Sequence, residues 1–200
     1  MATIHEAAWD SLTSTINLNL PLRDSWDKII DCCSKLITAD YWDKLKQLDI
    51  EADQADLALW MERLAIQSPI PENVLAIWIG IIRILNQDDA GAEKEVYAIY
   101  LNGADNYNSD DAEWALDPVY DPQHKYIIPD ILILIDEILK ADRKNHVFLD
   151  WILPLAYASL AINDIVKFRL KKEYFIKYQR SLFVSVGFDD GDLVNITPII

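Results

Sequence analysis

The stretch Val74-Leu-Ala-Ile-Trp-Ile-Gly-Ile-Ile-Arg-Ile-Leu85 decides how this chain is read, because it is apolar throughout apart from Arg83 near its end. Pro71, just ahead of it, suits the first turn of a helix, where a missing N–H costs nothing. The run therefore predicts a buried helix that opens at Pro71, carries Trp78 and stops near Asn86. A second apolar run, Ile127 to Leu139, contains Pro129, Asp130, Asp136 and Glu137. Both runs fall short of the roughly 20 residues that span a bilayer, so buried helices are expected and no membrane contact.

Upstream, tryptophans stand at Trp9, Trp26, Trp42, Trp60 and Trp78, in steps of 17, 16, 18 and 18 residues. One helix and its turn is about that long. Trp-Asp recurs at Trp9, Trp26 and Trp42, so a degenerate helical array is one reading. The favoured one is that each helix anchors its core face with one large aromatic. Leu22 to Thr38 follows Pro21 and places Trp26, Ile29, Ile30, Cys33, Leu36 and Ile37 on one stripe; Ala55 to Ile66 does the same with Leu57, Leu59, Trp60, Leu64 and Ala65.

Downstream, a short acidic helix is expected over about Ala90 to Leu101, ended by Asn102-Gly103 as a C-cap. Ala104 to Lys125, rich in Asp, Asn and Pro, reads as a long loop with one helical turn near Trp114. Pro129 restarts a helix to about Asp142. Another follows from Val147 to Lys172, in which Pro154 should introduce a kink or a boundary. At the end, Ser181 to Phe188 and Leu193 to Thr197 flank Asp189-Asp190-Gly191-Asp192, a hairpin signal. A lone hairpin is marginal in water and should pack on a helix. The expected fold is mainly α, a multi-helix bundle or short α-α array with a C-terminal β-hairpin. One domain over 1–200 is expected, with lobes at 1–86, 87–126 and 127–200.

The apolar fraction of 52% in 200 residues excludes a disordered chain. A net charge of −15 and a pI near 4.4 argue against direct nucleic-acid binding, which needs clustered Lys and Arg. Cys32 and Cys33 are adjacent on a helix, where neighbouring side chains diverge, so no disulfide joins them and a reducing, cytoplasmic setting fits. The N-terminal stretch to Trp9 has acid where a signal peptide has base.

Charge is concentrated between Asn86 and Asp121. Ten acids stand there against Lys94, a net −9, interleaved with Tyr97, Tyr100, Tyr107, Trp114 and Tyr120. Charge runs are usually solvated loops, but a purely solubilising loop has no need of this many aromatics. Acid with aromatic surface is the chemistry that receives a basic protein. The expected partner-binding residues are Asp105, Tyr107, Asp110, Asp111, Glu113, Trp114 and Asp117, with Tyr107 and Trp114 as anchors in the partner's pockets.

Catalysis and metals find little support. Read as a calcium loop from Asp105, the third position is Tyr107 and the sixth is Asp110, which breaks the pattern. Asp189, Asp190 and Asp192 flank a Gly explained by turn geometry. His5, His124 and His146 have no ligand-spaced partner, and Ser159 and Ser185 lack the nucleophile-elbow context. No catalytic residue, metal or cofactor is expected. The rival, a metal-dependent helical enzyme using Asp105 to Asp121 or Asp136, Glu137 and Asp164, needs its acids to converge. A structural scaffold would instead expose its tryptophans. The basic stretch Lys167 to Arg180, net +5, is expected to lie against the protein's own acidic segment.

The acid-aromatic segment Asp88 to Asp121 and the Trp-Asp helices at Trp9, Trp26 and Trp42 resemble, in class, the cytoplasmic immunity proteins of bacterial toxin–immunity systems. That resemblance implies a binding inhibitor and not an enzyme, occluding a cognate basic toxin such as a nuclease, with Asp and Glu standing in for phosphates.

Overall fold

The computed structural model describes residues 3–87, 91–189 and 191–200. Four helices come first: α1 (Ile4–Ile16), α2 (Leu22–Leu36), α3 (Trp42–Lys46) and α4 (Ile50–Gln67). Strands β1 (Ala76–Gln87), β2 (Glu93–Ala104) and β3 (Tyr126–Ile127) follow, then α5 (Asp130–Leu139), α6 (His146–Asp164), β4 (Phe183–Phe188) and β5 (Leu193–Asn195). The strands form one mixed sheet ordered β3-β2-β1-β4-β5, in which β1 pairs antiparallel with β2 and parallel with β4.

This α/β architecture overturns the mainly α expectation at its centre. The run at Val74 to Leu85 is the middle strand of the sheet, not a helix. Ile77, Ile79 and Ile81 point to the helical core, whereas Ala76 and Trp78 join a second cluster on the opposite face. A strand buried on both faces is a continuous apolar run and cannot be told from a buried helix by periodicity. The acidic helix expected over 90–101 is β2, paired with β1 from Gln87↔Glu93 to Ala76↔Ala104; Ala90 lies outside the described residues. Asn102-Gly103 is not a helix cap. Gly103 continues the strand and bridges to Tyr120, and its missing Cβ admits Val74 Cγ1, which would lie 2.8 Å from it.

The C-terminal hairpin is present as β4–β5, but as the edge of the five-stranded sheet instead of an appendage on a helix. Asp190, in the turn expected there, lies outside the described residues. The helices follow their stripes. Trp9, Trp26, Trp42 and Trp60 fall on α1 to α4 and Trp78 on β1, so the tryptophan spacing crosses from helix to strand and is no helical array. Trp26 Nε1 donates to Leu45 O at 2.9 Å and Trp42 Nε1 to Ile37 O at 3.0 Å, so both bonds tie α2 and its C-cap to α3.

The core lies between the helices and one face of the sheet, and its members run from Ala8 on α1 to Ile199 at the C-terminus. At its centre is α6, in which every residue from Ile152 to Asp164 is buried. Pro154 neither ends nor bounds this helix, which runs on to Asp164 and into a π turn, Ile165–Arg169. His146–Arg169 is long and apolar enough to cross a membrane by length and composition, but 89% of its apolar window is buried among the protein's own side chains. Cys33 faces the same core, and burial pushes its thiol up to about 12, as suits a packing residue.

Among the described residues, the ion pairs of the basic stretch are made with the helical layer and not with the acidic segment. Lys171 pairs with Glu62 of α4 at 3.0 Å, Arg169 with Asp164 at 3.4 Å, and Lys167 donates to the carbonyl of Ile16. It closes the helical layer, on the side of α1 and α4.

Candidate functional site: an acidic cleft on the far face of the sheet

The helices cover one face of the sheet; the acidic loop covers the other. Alternation along β1 sends Ala76, Trp78, Gly80 and Ile82 to this far face, opposite Ala104, Asn102, Tyr100 and Ala98 of β2. Two glycines make room there for aromatic rings to lie close over the strands. A Cβ on Gly80 would meet Tyr100 Cε1 at 2.1 Å, and one on Gly187 would meet Trp78 Cη2 at 2.6 Å.

The loop after β2 is sewn onto this floor. Trp114, in a 3-10 turn (Ala112–Ala115), is 5% exposed and packs edge-on against Trp78 with centroids 5.9 Å apart. Tyr107 stacks on Phe183 at 4.3 Å and 2°, and its hydroxyl donates to Asn195 Oδ1 at 3.0 Å. Asn195 also accepts from Ser185 Oγ at 2.7 Å and donates from Nδ2 to Ser109 O at 2.8 Å, so one β5 side chain holds both loop and sheet. Trp114 and Tyr107 are therefore the loop's internal anchors, which is why an acid-rich loop carries aromatics.

Beside this packed patch, floor and loop enclose a cleft of about 660 Å³. Trp78, Tyr100 and Asn102 form its base, Asp110, Asp111 and Glu113 one wall, and Asp189 the opposite side. Trp78 Nε1 donates to the Tyr100 hydroxyl at 3.1 Å, and that hydroxyl donates to Asp189 Oδ1 at 2.5 Å. Burial first, then the hydrogen bond to Asp189, raises the Tyr100 phenol, so it remains a donor. Asp111 Oδ1 accepts from the Glu113 N–H at 2.9 Å and caps the 3-10 turn, which fixes the wall's direction.

Of the residues expected from sequence, Asp110, Asp111 and Glu113 thus meet in one cleft, Tyr107 and Trp114 support it from behind, and Asp105 and Asp117 are exposed outside its lining. Asp88 and Asp89 lie outside the described residues. Sequence reasoning missed Trp78, Tyr100, Asn102 and Asp189. For Trp78, Tyr100 and Asn102 the signal was their alternate placement along β1 and β2, visible only once these segments are read as strands; Asp189 follows from the pairing of β4 with β1.

A second cluster joins Asp136, His146 and Asp150, whose ligand atoms lie within 4.8 Å of one another. His146 and Asp150 stand one helical turn apart, a spacing legible in the sequence, so His146 does have a ligand-spaced partner. The place is held by cations of the protein's own. Arg83 Nη2 lies 2.7 Å from Asp150 and 3.5 Å from Asp136, Lys140 Nζ 2.9 Å from Asp136, and the Arg83 guanidinium sits 4.1 Å over the Tyr97 ring. Glu137 instead pairs with Lys94, and Asp164 accepts from Gln54, so these acids do not converge.

Comparison of the chain with protein families, with characterised proteins and with solved structures found no match.

Proposed function

We propose that the protein is a binding inhibitor that neutralises a basic protein, of the kind an immunity protein meets in a cognate toxin such as a nuclease, and that the far-face cleft receives it. The carrying observation is the cleft itself: an aromatic floor on the one sheet face left without helices, walled by Asp110, Asp111, Glu113 and Asp189. None of these four carboxylates has an ion-pair partner among the described residues. Unpaired acids beside exposed apolar surface, here Leu116 and Tyr126, attract a cationic partner from a distance and hold it after contact. The protein would act in the cytoplasm, as its two reduced thiols suit.

The test is titration with the protein encoded immediately upstream of this chain's gene, at two salt concentrations. Asp110→Lys with Glu113→Lys is the cleaner charge reversal, because Asp111 also caps the turn. The expected result is a stoichiometric complex whose association rate drops by about tenfold or more in the variant and at high salt. Absence of a complex, or one indifferent to salt and to both substitutions, overturns the proposal.

A further inference from the structure

The base of the cleft holds a polar group without a partner. Asn102 is 5% exposed, its side chain is on the far face opposite Trp78, and its Oδ1 has no donor among the described residues. A buried amide oxygen left unpaired is costly, and such atoms in folded proteins are rare. The χ2 torsion of asparagine is broad, so the oxygen turns readily toward a donor entering the cleft.

A cation already marks the floor. Lys125 Nζ lies 5.4 Å from the ring centroids of both Tyr100 and Tyr126, so these rings form a face that accepts positive charge. Lys125 itself lines the cleft at its Tyr126 side, but its charge is bound to Asp121, which lies outside the lining. It leaves Asp189 and Glu113 without an ion-pair partner, and the Asn102 oxygen without a donor, among the described residues.

We propose that the cleft contains a seat for one arginine side chain of the basic partner, its guanidinium on the aromatic floor between the Asn102 oxygen at the base and the carboxylates of Asp189 and Glu113 at the rim. This rests on the reading of the cleft as the surface that meets a basic protein. Arginine fits better than lysine for two reasons. Its planar fork carries five N–H donors and serves several acceptors at once, while its face stacks on aromatic rings. An ammonium is a compact, strongly hydrated charge that loses more water on entering an apolar base. The Trp78–Tyr100–Asp189 chain holds the acceptor oxygen of Asp189 in place before the ligand arrives, which reduces the ordering required on binding.

The experiment uses the full chain labelled with nitrogen-15 and three probes: acetyl-Gly-Arg-Gly-amide and its lysine and citrulline counterparts. The arginine peptide should shift the Asn102 side-chain amide and the Trp78 indole N–H saturably, with a Kd of about 1 mM. The lysine peptide should bind about tenfold more weakly, and the uncharged citrulline peptide should leave both signals in place. Asn102→Ala should weaken arginine binding about tenfold, and Glu113→Gln, on the exposed rim, severalfold without touching the floor. Equal response to arginine and lysine, a response to citrulline, or no saturable shift overturns the seat. A basic partner that binds salt-sensitively through Asp110 and Glu113 yet ignores Asn102→Ala removes the seat and leaves the proposed function. Arginine shifts without any basic partner complex do the reverse.

Discussion

Trp78 and Tyr100, on neighbouring strands, are joined by a hydrogen bond of 3.1 Å across the far face of the sheet, and each ring lies over a glycine. The arrangement depends on the absence of two Cβ atoms. Gly187→Ala would set its Cβ 2.2 Å from the carbonyl oxygen of Asp192 and 3.1 Å from Leu193 Cα, backbone that cannot swing aside. For Gly80→Ala the three nearest atoms all belong to the far end of the Tyr100 side chain, which can turn aside. Overpacking costs about 1–3 kcal/mol, so urea denaturation should place Gly187→Ala at or above the top of that range and Gly80→Ala near the bottom. Gly80→Ala should also distort the cleft by displacing Tyr100.

Asn195 ties the acidic loop to β5 through Tyr107, Ser185 and Ser109. Asn195→Ala keeps every charge of the cleft while removing these bonds. It should cost about 1–2 kcal/mol in global stability. Amide exchange over residues 105–116 should quicken, and partner affinity should decline through the dissociation rate with its salt dependence intact. Unchanged exchange in that loop would show that stacking of Tyr107 on Phe183 suffices to hold it.

Arg83 fills the space among Asp136, His146 and Asp150. Arg83→Met would strand Asp150, whose side chain is 20% exposed, and leave Asp136, at 7%, with Lys140 alone. Loss of one partner from such a cluster costs about 3 kcal/mol or more. The variant should also gain a rise in Tm with manganese or zinc, because Asp150 and His146 would then be free to ligate and Asp136 would be held only by the exposed Lys140. A metal-induced rise of equal size in the unmodified protein would mean that Arg83 is no substitute for an ion.

Arg23 joins α2 to the stretch ahead of α4. It donates to the carbonyls of Lys46 and Leu48 at 2.6 and 2.7 Å and pairs with Glu51. That hydrogen bond holds the Glu51 carboxyl below its ordinary value. A carboxylate with a lowered folded value contributes stability above its unfolded value and loses it as pH falls through the folded one. Stability measured from neutral pH down into the acid range should therefore fall less steeply in Glu51→Gln than in the parent.

How far the sequence could be read follows from which faces of each element are wet. α2 and α4 keep one polar face, so their stripes marked them, and the Asp-Gly turn marked β4–β5. β1 has no polar face, and Pro71 ahead of it suggested a helix start. Its five isoleucines, at 77, 79, 81, 82 and 84, were the β-branched signal that favoured a strand. For β2, Val96, Tyr97, Ile99 and Tyr100 carried the same signal, masked by the acidic residues Glu93 and Glu95 at its start. Once β1 and β2 became helices, the cleft could not be assembled, because its base consists of their alternate residues. Its acidic wall was legible from local charge alone. Its opposite side, Asp189, is brought there by long-range pairing of β1 with β4, which local sequence does not encode.

The central claim is that the basic partner binds over the far face of the sheet, and hydrogen exchange of the free protein and of its complex tests it most directly. Slowed exchange confined to residues 109–118, the Tyr100 to Asn102 end of β2, and residues 186–193 is the predicted result. Protection instead over α1, α4 or the basic stretch 167–180, with those three segments unchanged, would contradict it.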